Sequence, residues 1–319
     1  MPQVARRAIA KLVGLGLSVA CLVYFAIAAR NILSGTTMSW AGSPALHALP
    51  MAAVLYLSAY ALLATAWHFL LRSMALDPGL PASAGIYLSA QIAKYIPGNV
   101  GQHIGRIYLS TARGLPAIRV GMAMIVEIVL AIVVAALLSL PLAPMVLRRI
   151  ARAAFPWTDL LLIGFGLASA ACAIAYLLHR KRLLAPLRER LRAALAEARK
   201  VGGAGFLAGA AILTVCGMGM AGLSLVALAS TSASAMTASS VVAGIALFSA
   251  SWIVGFLAPG APAGLGVREA ILLGGLTPAI GGQLALEATI VFRGLSVGAD
   301  LVAWLAGTLL LRRGLAQHA

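Results

Sequence analysis

The stretch K-Y-I-P-G-N-V-G-Q-H-I-G-R, residues 94–106, places several cationic side chains beside a Pro-Gly pair in a chain that is otherwise mostly apolar. Pro97 and Gly98 favour a break in a helix, because proline lacks a backbone N–H and glycine has no Cβ. A broken backbone inside a membrane must be buried in protein or line a wet cavity. The side chains around this break are hydrogen-bond donors, and two or three of them are cationic. We therefore predict an anion-binding pocket that includes Lys94, Asn99, Gln102, His103 and Arg106.

A second stretch, P-G-A-P-A-G-L-G-V-R at residues 259–268, has the same Pro-Gly pair followed by an arginine nine positions after the proline. The two stretches are 162 positions apart. Pro259 and Gly260 are the second predicted helix break, and Arg268 joins the predicted substrate-binding residues. Glu269 follows directly and supplies a counter-charge. Since Pro-Gly pairs are common helix breakers, a chance match remains the alternative explanation.

Further charged residues fall inside apolar windows, where each costs several kcal/mol unless it is paired or hydrated. We predict charge-balancing or proton-coupling roles for Glu127, Glu269, Glu287, Arg293 and Asp300. The expected partners are Arg106 or Lys94 for Glu127, and Asp300 or Glu287 for Arg293. The alternative is that these ion pairs only hold helices together.

The composition sets the class of protein that must position these residues. Of the 319 residues, 62% are hydrophobic and 10% are charged, with a mean hydropathy of +0.99. A water-soluble domain of this size could not bury so much apolar surface in one core. Seven apolar windows are long enough to cross about 30 Å of hydrocarbon as helices. They are residues 9–29, 45–71, 117–140, 156–178, 204–229, 237–257 and 282–311. The sequence predicts an all-α, polytopic membrane protein.

The positive charges predict which side of the membrane each loop occupies. Eight of the 24 Lys and Arg residues lie in the segment 179–200 between two apolar windows, as the positive-inside rule expects of a cytoplasmic loop. Counting from this loop places both termini in the cytoplasm, although Arg148, Arg149 and Arg152 then fall outside, against the rule. The count also makes residues 73–116 and 237–281 begin and end on the same side. About six full spans plus two re-entrant helices are consistent with this count of membrane crossings.

The offset of 162 positions also relates the flanking windows, because shifting 45–71 and 117–140 by this amount brings them onto later spans. We predict one transmembrane domain over residues 1–319. It contains a first repeat at 45–141 and a second, inverted repeat at 204–311. Inverted repeats with broken helices near the midplane are a transporter architecture.

The net charge of +16 does not indicate nucleic-acid binding, because the basic residues lie beside the membrane spans. Residues 180–200 are predicted to form a cytoplasmic amphipathic helix on anionic headgroups, with a plain linker as the alternative. The histidines and cysteines show no metal-ligand spacing, so we expect neither a metal nor a cofactor. We also expect no enzyme activity, since no nucleophile elbow or phosphate-binding loop is present.

The motifs K-Y-I-P-G-N-V-G-Q-H-I-G-R and A-P-G-A-P-A-G-L-G-V-R-E-A resemble those of the lysylphosphatidylglycerol synthase transmembrane-region family. The family includes the flippase portion of bacterial multiple-peptide-resistance factors. The resemblance implies a lipid-translocating or lipid-binding membrane domain with two re-entrant elements. The aminoacyltransferase and glycosyltransferase domains of some relatives are absent from these 319 residues, so neither transfer reaction is expected. The second motif departs from the family pattern by the insertion of A-P-A-G after Pro259-Gly260.

We therefore expect a flippase-like translocator of a phosphate-bearing lipid, anionic or aminoacylated, in the bacterial cytoplasmic membrane. The expected partner is an anionic phospholipid or a polyprenyl-phosphate-linked lipid, and a homodimer or a separate lipid-modifying enzyme are further partners considered. Two alternatives stay open at this point. One is an ion-coupled transporter of a small anionic solute, and the other is a non-transporting lipid-binding subunit.

Overall fold

The computed structural model describes residues 42–95, 100–144, 203–230, 237–258 and 261–316, together with the isolated positions 23, 27, 30 and 189. Within these ranges the chain is helical and has no strand, which confirms the all-α prediction. The α-helices are α1 (Pro44–Ser73), α2 (Leu80–Ser89), α3 (Gly101–Thr111), α4 (Ala117–Ser139), α5 (Gly203–Ala229), α6 (Ala238–Leu257), α7 (Val267–Ile280) and α8 (Gly282–Ala316). Short 3₁₀ turns lie at Gln91–Tyr95, Leu140–Leu142 and Pro262–Gly264.

Helices long and apolar enough to cross a membrane number six in the described ranges. Four of them match the predicted spans, namely α1, the segment Ala117–Leu142, α5 and the segment Gly282–Arg313. The other two are Ala238–Leu257 and Pro262–Ile280, where the sequence predicted a re-entrant element. Two full spans return the chain to the membrane face where it started, as the predicted re-entrant element also would. The predicted membrane side of each loop is therefore unchanged. The predicted spans at 9–29 and 156–178 lie outside the described residues, as does the predicted amphipathic helix at 180–200 apart from position 189.

Helices α1 and α5 form the centre of the described structure, and small residues let them approach closely. A Cβ atom built on Gly217 would lie 2.9 Å from Cγ of Leu63, and one on Gly209 would lie 2.6 Å from the ring of Phe69. Helices without a hydrophobic driving force between them associate through this kind of close backbone packing. The α1–α5 contact therefore joins the first half of the chain to the second.

A second close crossing fixes the first broken helix against the last helix. A Cβ atom on Gly307 of α8 would lie 2.9 Å from the carbonyl oxygen of Gly85 in α2. No larger side chain fits at this crossing without moving one of the two helices. Since Asp300 lies two turns before Gly307 on α8, the crossing brings this carboxylate beside the 3₁₀ turn that follows α2.

The two halves have the same order of elements on either side of the break. A shift of 162 positions moves α2 and its 3₁₀ turn onto the C-terminal part of α6, and it moves α3 onto part of α7. The contacts correspond as well, because α2 packs against α8 as α6 packs against α4. This is the arrangement that a repeat predicts. The insertion of the copies in opposite directions, and the re-entrant depth of each broken helix, stay predictions.

Candidate functional site

The two 3₁₀ turns that flank the predicted breaks contact each other and line one cavity. The 3₁₀ turn Gln91–Tyr95 contacts the 3₁₀ turn Pro262–Gly264, although they are far apart in sequence. Beside them is a cavity of about 160 Å³, bounded by α1, α3, α4, α5 and α6. A water needs roughly 10–15 Å³ by this measure, so the space is large enough for several waters or for a phosphate group. The breaking residues Pro97, Gly98, Pro259 and Gly260 lie outside the described residues, and so does Asn99.

Lys94 lines the cavity but is held by a buried carboxylate from the other half of the chain. Its Nζ atom donates to Oδ1 of Asp300 at 2.7 Å, and the hydroxyl of Tyr95 donates to Oδ2 of the same residue at 2.6 Å. Tyr60 on α1 donates a further hydrogen bond to Asp300, whose side chain is 1% exposed. Three donors on two elements thus meet one acceptor on α8, and the cluster attaches the first broken helix to the second half. The sequence placed Asp300 with Arg293, and this pairing is wrong.

Arg106 is buried and neutralised within the first half. Its Nη1 atom donates to Oε2 of Glu127 at 2.5 Å, as the sequence predicted. The guanidinium carbon lies 4.9 Å from the ring centroids of both Trp67 and Tyr87, so the cation is sandwiched between two aromatic faces. Its Nε atom is buried without a hydrogen-bond partner among the described residues, but Glu127 already neutralises the charge of the guanidinium, so a second anion would gain little there.

Gln102 and His103 line the cavity on α3, one turn from Arg106. Nη2 of Arg106 lies 3.5 Å from Nδ1 of His103. A guanidinium has only donors, so Nδ1 is the acceptor in this contact and the imidazole is neutral. The residue therefore offers a polar ring to the cavity rather than the positive charge that the sequence indicated.

Arg268 is the cavity-lining cation that lacks a carboxylate partner among the described residues. Its Nη2 atom is buried and has no hydrogen-bond partner in the described part of the chain. The guanidinium carbon lies 5.7 Å from the ring centroid of Phe248, which contributes a weaker attraction than a carboxylate. Arg268 is partly buried, and leaving its buried Nη2 atom without an acceptor is costly in the absence of a bound anion.

Two glycines hold the stem of Arg268 in place. A Cβ atom on Gly255 would lie 2.5 Å from Cγ of Arg268, and a Cβ atom on Gly264 would lie 2.8 Å from its Cδ. Gly264 also has a φ of +69°, which disfavours any side chain there. The arginine thus passes between two backbone segments, and this clamp sets the direction of its guanidinium.

Glu269 and Arg293 lie behind Arg268 and form a pair of their own. Oε1 of Glu269 is 3.2 Å from Nε of Arg293, and Oε2 accepts from the backbone N–H of Gly266 at 2.6 Å. This second bond caps the N-terminus of α7. The pair borders a small second pocket that Arg268 and Thr289 also line. The carboxylate next to Arg268 in sequence is therefore committed elsewhere.

Glu287 lies away from the cavity. Its Oε2 atom accepts from the hydroxyl of Ser43 at 2.9 Å, and its side chain is buried. The structure therefore does not bring it to Arg293 or to the other charged residues of the cavity.

Tyr60, Phe248, Phe256 and two glycines of the site were missed in the sequence. Trp252 and Phe256 line the cavity as a stacked pair, with ring centroids 5.1 Å apart and planes 3° from parallel. With Phe248 they form a stripe at four-residue spacing on α6, which the helical period could have revealed. The roles of Tyr60 and the two glycines depend on contacts between distant segments, and no local pattern marks them. Within the described ranges, no group of histidine, cysteine or acidic residues is arranged to hold a metal ion.

The described part of the chain is thus a multi-pass α-helical membrane protein with a buried, charged cavity at the meeting point of two helix breaks. The chain belongs to the family described as the lysylphosphatidylglycerol synthase TM region, whose match covers residues 11–303. The resemblance found in the two motifs is confirmed, and the family points to a membrane lipid-related function. No curated protein and no solved structure matches the chain.

Proposed function

We propose that this protein is a flippase-like translocator of a phosphate-bearing lipid, and that Arg268 is the main binding residue for the headgroup. The observation that carries the proposal is the guanidinium of Arg268, which lines the cavity without a carboxylate partner in the described ranges and whose buried Nη2 atom has no hydrogen-bond partner there. A planar guanidinium with free N–H groups matches two phosphate oxygens. Moving a phosphate through hydrocarbon requires such a compensating cation on its route.

The roles of Lys94 and Arg106 differ from that of Arg268 in this mechanism. Both are paired with acids, so they contribute to the potential of the cavity and hold its walls together. A headgroup would reach either cation only by displacing a carboxylate. As the two halves rock against each other, Glu127 and Glu269 are the carboxylates whose pairing we expect to change, and they are our candidates for proton coupling.

The surroundings of the cavity support a lipid rather than a free solute. Helix α4 lines the cavity with Glu127, Ile128 and Ala131. Its other face carries exposed apolar side chains, namely Ile125, Val129, Val133 and Leu137. One helix therefore touches the charged cavity and presents apolar surface outward, an arrangement that lets acyl chains remain in the bilayer while the headgroup enters.

The remaining parts of the proposal follow the charge count and the family. We place the protein in the bacterial cytoplasmic membrane, with both termini in the cytoplasm. The partner is an anionic or aminoacylated phospholipid or a polyprenyl-phosphate-linked lipid, and the protein itself performs no enzymatic reaction. A separate lipid-modifying enzyme is a candidate source of the substrate.

Reconstitution of the full chain in liposomes with a headgroup-labelled phospholipid tests the proposal. We expect the wild-type protein to accelerate transbilayer movement and Arg268→Gln to lower the rate towards that of protein-free liposomes. Arg72→Gln is the matched control, because Arg72 pairs with Asp77 at 3.0 Å where both side chains are more than one-third exposed. No acceleration by the wild type, with lipid still bound, would support a non-transporting lipid-binding subunit. Equal rates for all three proteins would contradict the role of Arg268.

A further inference from the structure

The charged groups around the cavity do not cancel. Among the described residues, the cavity is lined by the cations Lys94, Arg106 and Arg268 and by one acid, Glu127. Asp300 lies directly behind Lys94 at 2.7 Å and neutralises it. Arg106 and Glu127 neutralise each other at 2.5 Å. One positive charge, that of Arg268, is left over.

The surroundings of the cavity do not change this balance. His103 adds no charge to the cavity, because its Nδ1 atom accepts from Arg106 in a neutral imidazole. Glu269 and Arg293, on the far side of Arg268, form a neutral pair at 3.2 Å. The residues at positions 96–99 and 259–260, which complete the two breaks in sequence, carry no ionisable side chain. Counted over the described residues, the cavity therefore has a net charge of plus one.

We infer that the cavity selects a headgroup with a single negative charge, a phosphodiester, over a phosphomonoester or a pyrophosphate. This inference rests on the proposed function and adds a rule for the substrate. A phosphodiester neutralises Arg268 and leaves no net charge in the site. A phosphomonoester carries about −1.5 to −2 at pH 7, so it would leave an uncompensated negative charge in a partly dehydrated cavity, which is costly.

The rule divides the lipids that the sequence left open. Phospholipids such as phosphatidylglycerol, and polyprenyl lipids joined to a sugar through one phosphate, are phosphodiesters and fit the charge of the site. Phosphatidic acid, free polyprenyl phosphates and pyrophosphate-linked lipids carry more negative charge and do not.

Competitive lipid capture by the full chain tests the rule. The protein, delipidated in detergent, is given equal amounts of phosphatidylglycerol and phosphatidic acid with identical acyl chains, and the bound lipid is counted by native mass spectrometry. We expect the wild type to capture phosphatidylglycerol in excess by about tenfold, the ratio that corresponds to 1.4 kcal/mol. Equal capture, or a preference for phosphatidic acid, overturns the rule.

Substitutions at Gln102 change the charge of the cavity without breaking an ion pair. This side chain lines the cavity, and its amide nitrogen lies 3.4 Å from Nε2 of His103. Gln102→Lys raises the net charge to two, so it should shift capture towards phosphatidic acid. Gln102→Glu removes the net charge, so it should weaken capture of both lipids and of phosphatidic acid more. If Gln102→Lys fails to fold, Glu127→Gln adds the same positive charge by a different route, at the cost of the Arg106–Glu127 pair. An unchanged ratio in the folded variants contradicts the rule.

Two further arms separate the rule from the proposed function on which it rests. If Arg268→Gln captures both lipids as the wild type does, Arg268 is not the binding residue and the proposal and the rule fail together. If Arg268→Gln loses capture but the Gln102 variants keep the wild-type ratio, the rule alone fails. Excess dimethyl phosphate is the same diester without acyl chains. Displacement of phosphatidylglycerol by dimethyl phosphate, but not by inorganic phosphate, supports the rule, and displacement that needs no more dimethyl phosphate than the lipid present overturns the assignment of the site to a lipid.

Discussion

Arg106 and Arg268 occupy corresponding positions in the two halves of the chain, 162 residues apart, but their surroundings differ. Arg106 is neutralised by Glu127 and sandwiched between two aromatic rings. Arg268 has no carboxylate partner in the described ranges and is held by the backbone of two glycines. Arg106 is thus a paired residue of the cavity lining, whereas Arg268 remains available for an anion.

One substitution between the halves accounts for much of this difference. The position that corresponds to Glu127 in the second half is Thr289, which lines the small pocket beside Arg268. Its hydroxyl donates to the carbonyl oxygen of Ala285 in its own helix. A carboxylate in the first half is thus replaced by a neutral side chain that is already hydrogen-bonded. Under the proposed function, two halves with the same order of helices divide the work between a structural arginine and a binding arginine.

The largest effect that separates the two arginines concerns stability. Arg106→Met leaves Glu127, whose side chain is 18% exposed, without its cation, and we expect a cost towards the lower end of the roughly 3–5 kcal/mol of a broken buried pair. Arg268→Met removes an uncompensated charge instead, so we expect unchanged or increased stability, by about 1 kcal/mol. Thermal unfolding of both variants in the same detergent measures the difference. Destabilisation of similar size in both would show that Arg268 has a partner equivalent to Glu127.

The next largest expected effect comes from a substitution in the clamp formed by the two glycines around the stem of Arg268. In Gly255→Ala the new Cβ atom would overlap the arginine stem, so the guanidinium must move or the helices must separate, at a cost of about 1–3 kcal/mol. We expect reduced capture of phosphatidylglycerol by the folded variant. Gly274→Ala is the matched control, since a Cβ atom there has no neighbour within 4 Å.

A double substitution distinguishes a role of Gly255 in positioning the Arg268 guanidinium from a general disturbance of the structure. In the Arg268→Gln background, Gly255→Ala should have no further effect on lipid capture, because the guanidinium that it positions is gone. An additional loss of the same size in that background would assign the glycine a purely structural role.

Adding the missing acid to the second half should make the two arginines alike. Thr289→Glu places a carboxylate where the first half has Glu127, so we expect capture of phosphatidylglycerol to fall at least about tenfold. Thr289→Gln is the control of the same size, and it separates the effect of charge from that of crowding at this buried position. Equal capture by the two variants would contradict the role of the free charge.

The smallest expected effect concerns the cluster around Asp300. Tyr95→Phe removes one of its three donors and leaves the Lys94 contact in place, so we expect a loss of about 1 kcal/mol in unfolding free energy. Lipid capture should change little. A loss of capture as large as that of Arg268→Gln would place the Asp300 cluster in the binding site itself, against the division between the two arginines.

The sequence by itself determined the membrane class, the family and the positions of both breaks. These follow from local properties, because hydrocarbon selects long apolar helices and Pro-Gly pairs interrupt them wherever they occur. The pairing of Arg106 with Glu127 was also predictable, since both lie in the first half and the candidates were few. The sequence also predicted that Arg268 binds substrate, from its place beside the second break, and this role stays a prediction.

The tertiary structure decided which charges are free. Lys94 is neutralised by Asp300, which is 206 residues away in sequence. The close crossing of α2 and α8 brings the two residues together. Arg293 pairs with Glu269 rather than with Asp300 or Glu287. Several pairings of these charges are equally compatible with their spacing, and only the packing of the helices selects one. Arg268 remains available because the neighbouring carboxylates of the described ranges are paired with other groups, so no local pattern around Arg268 could have established it.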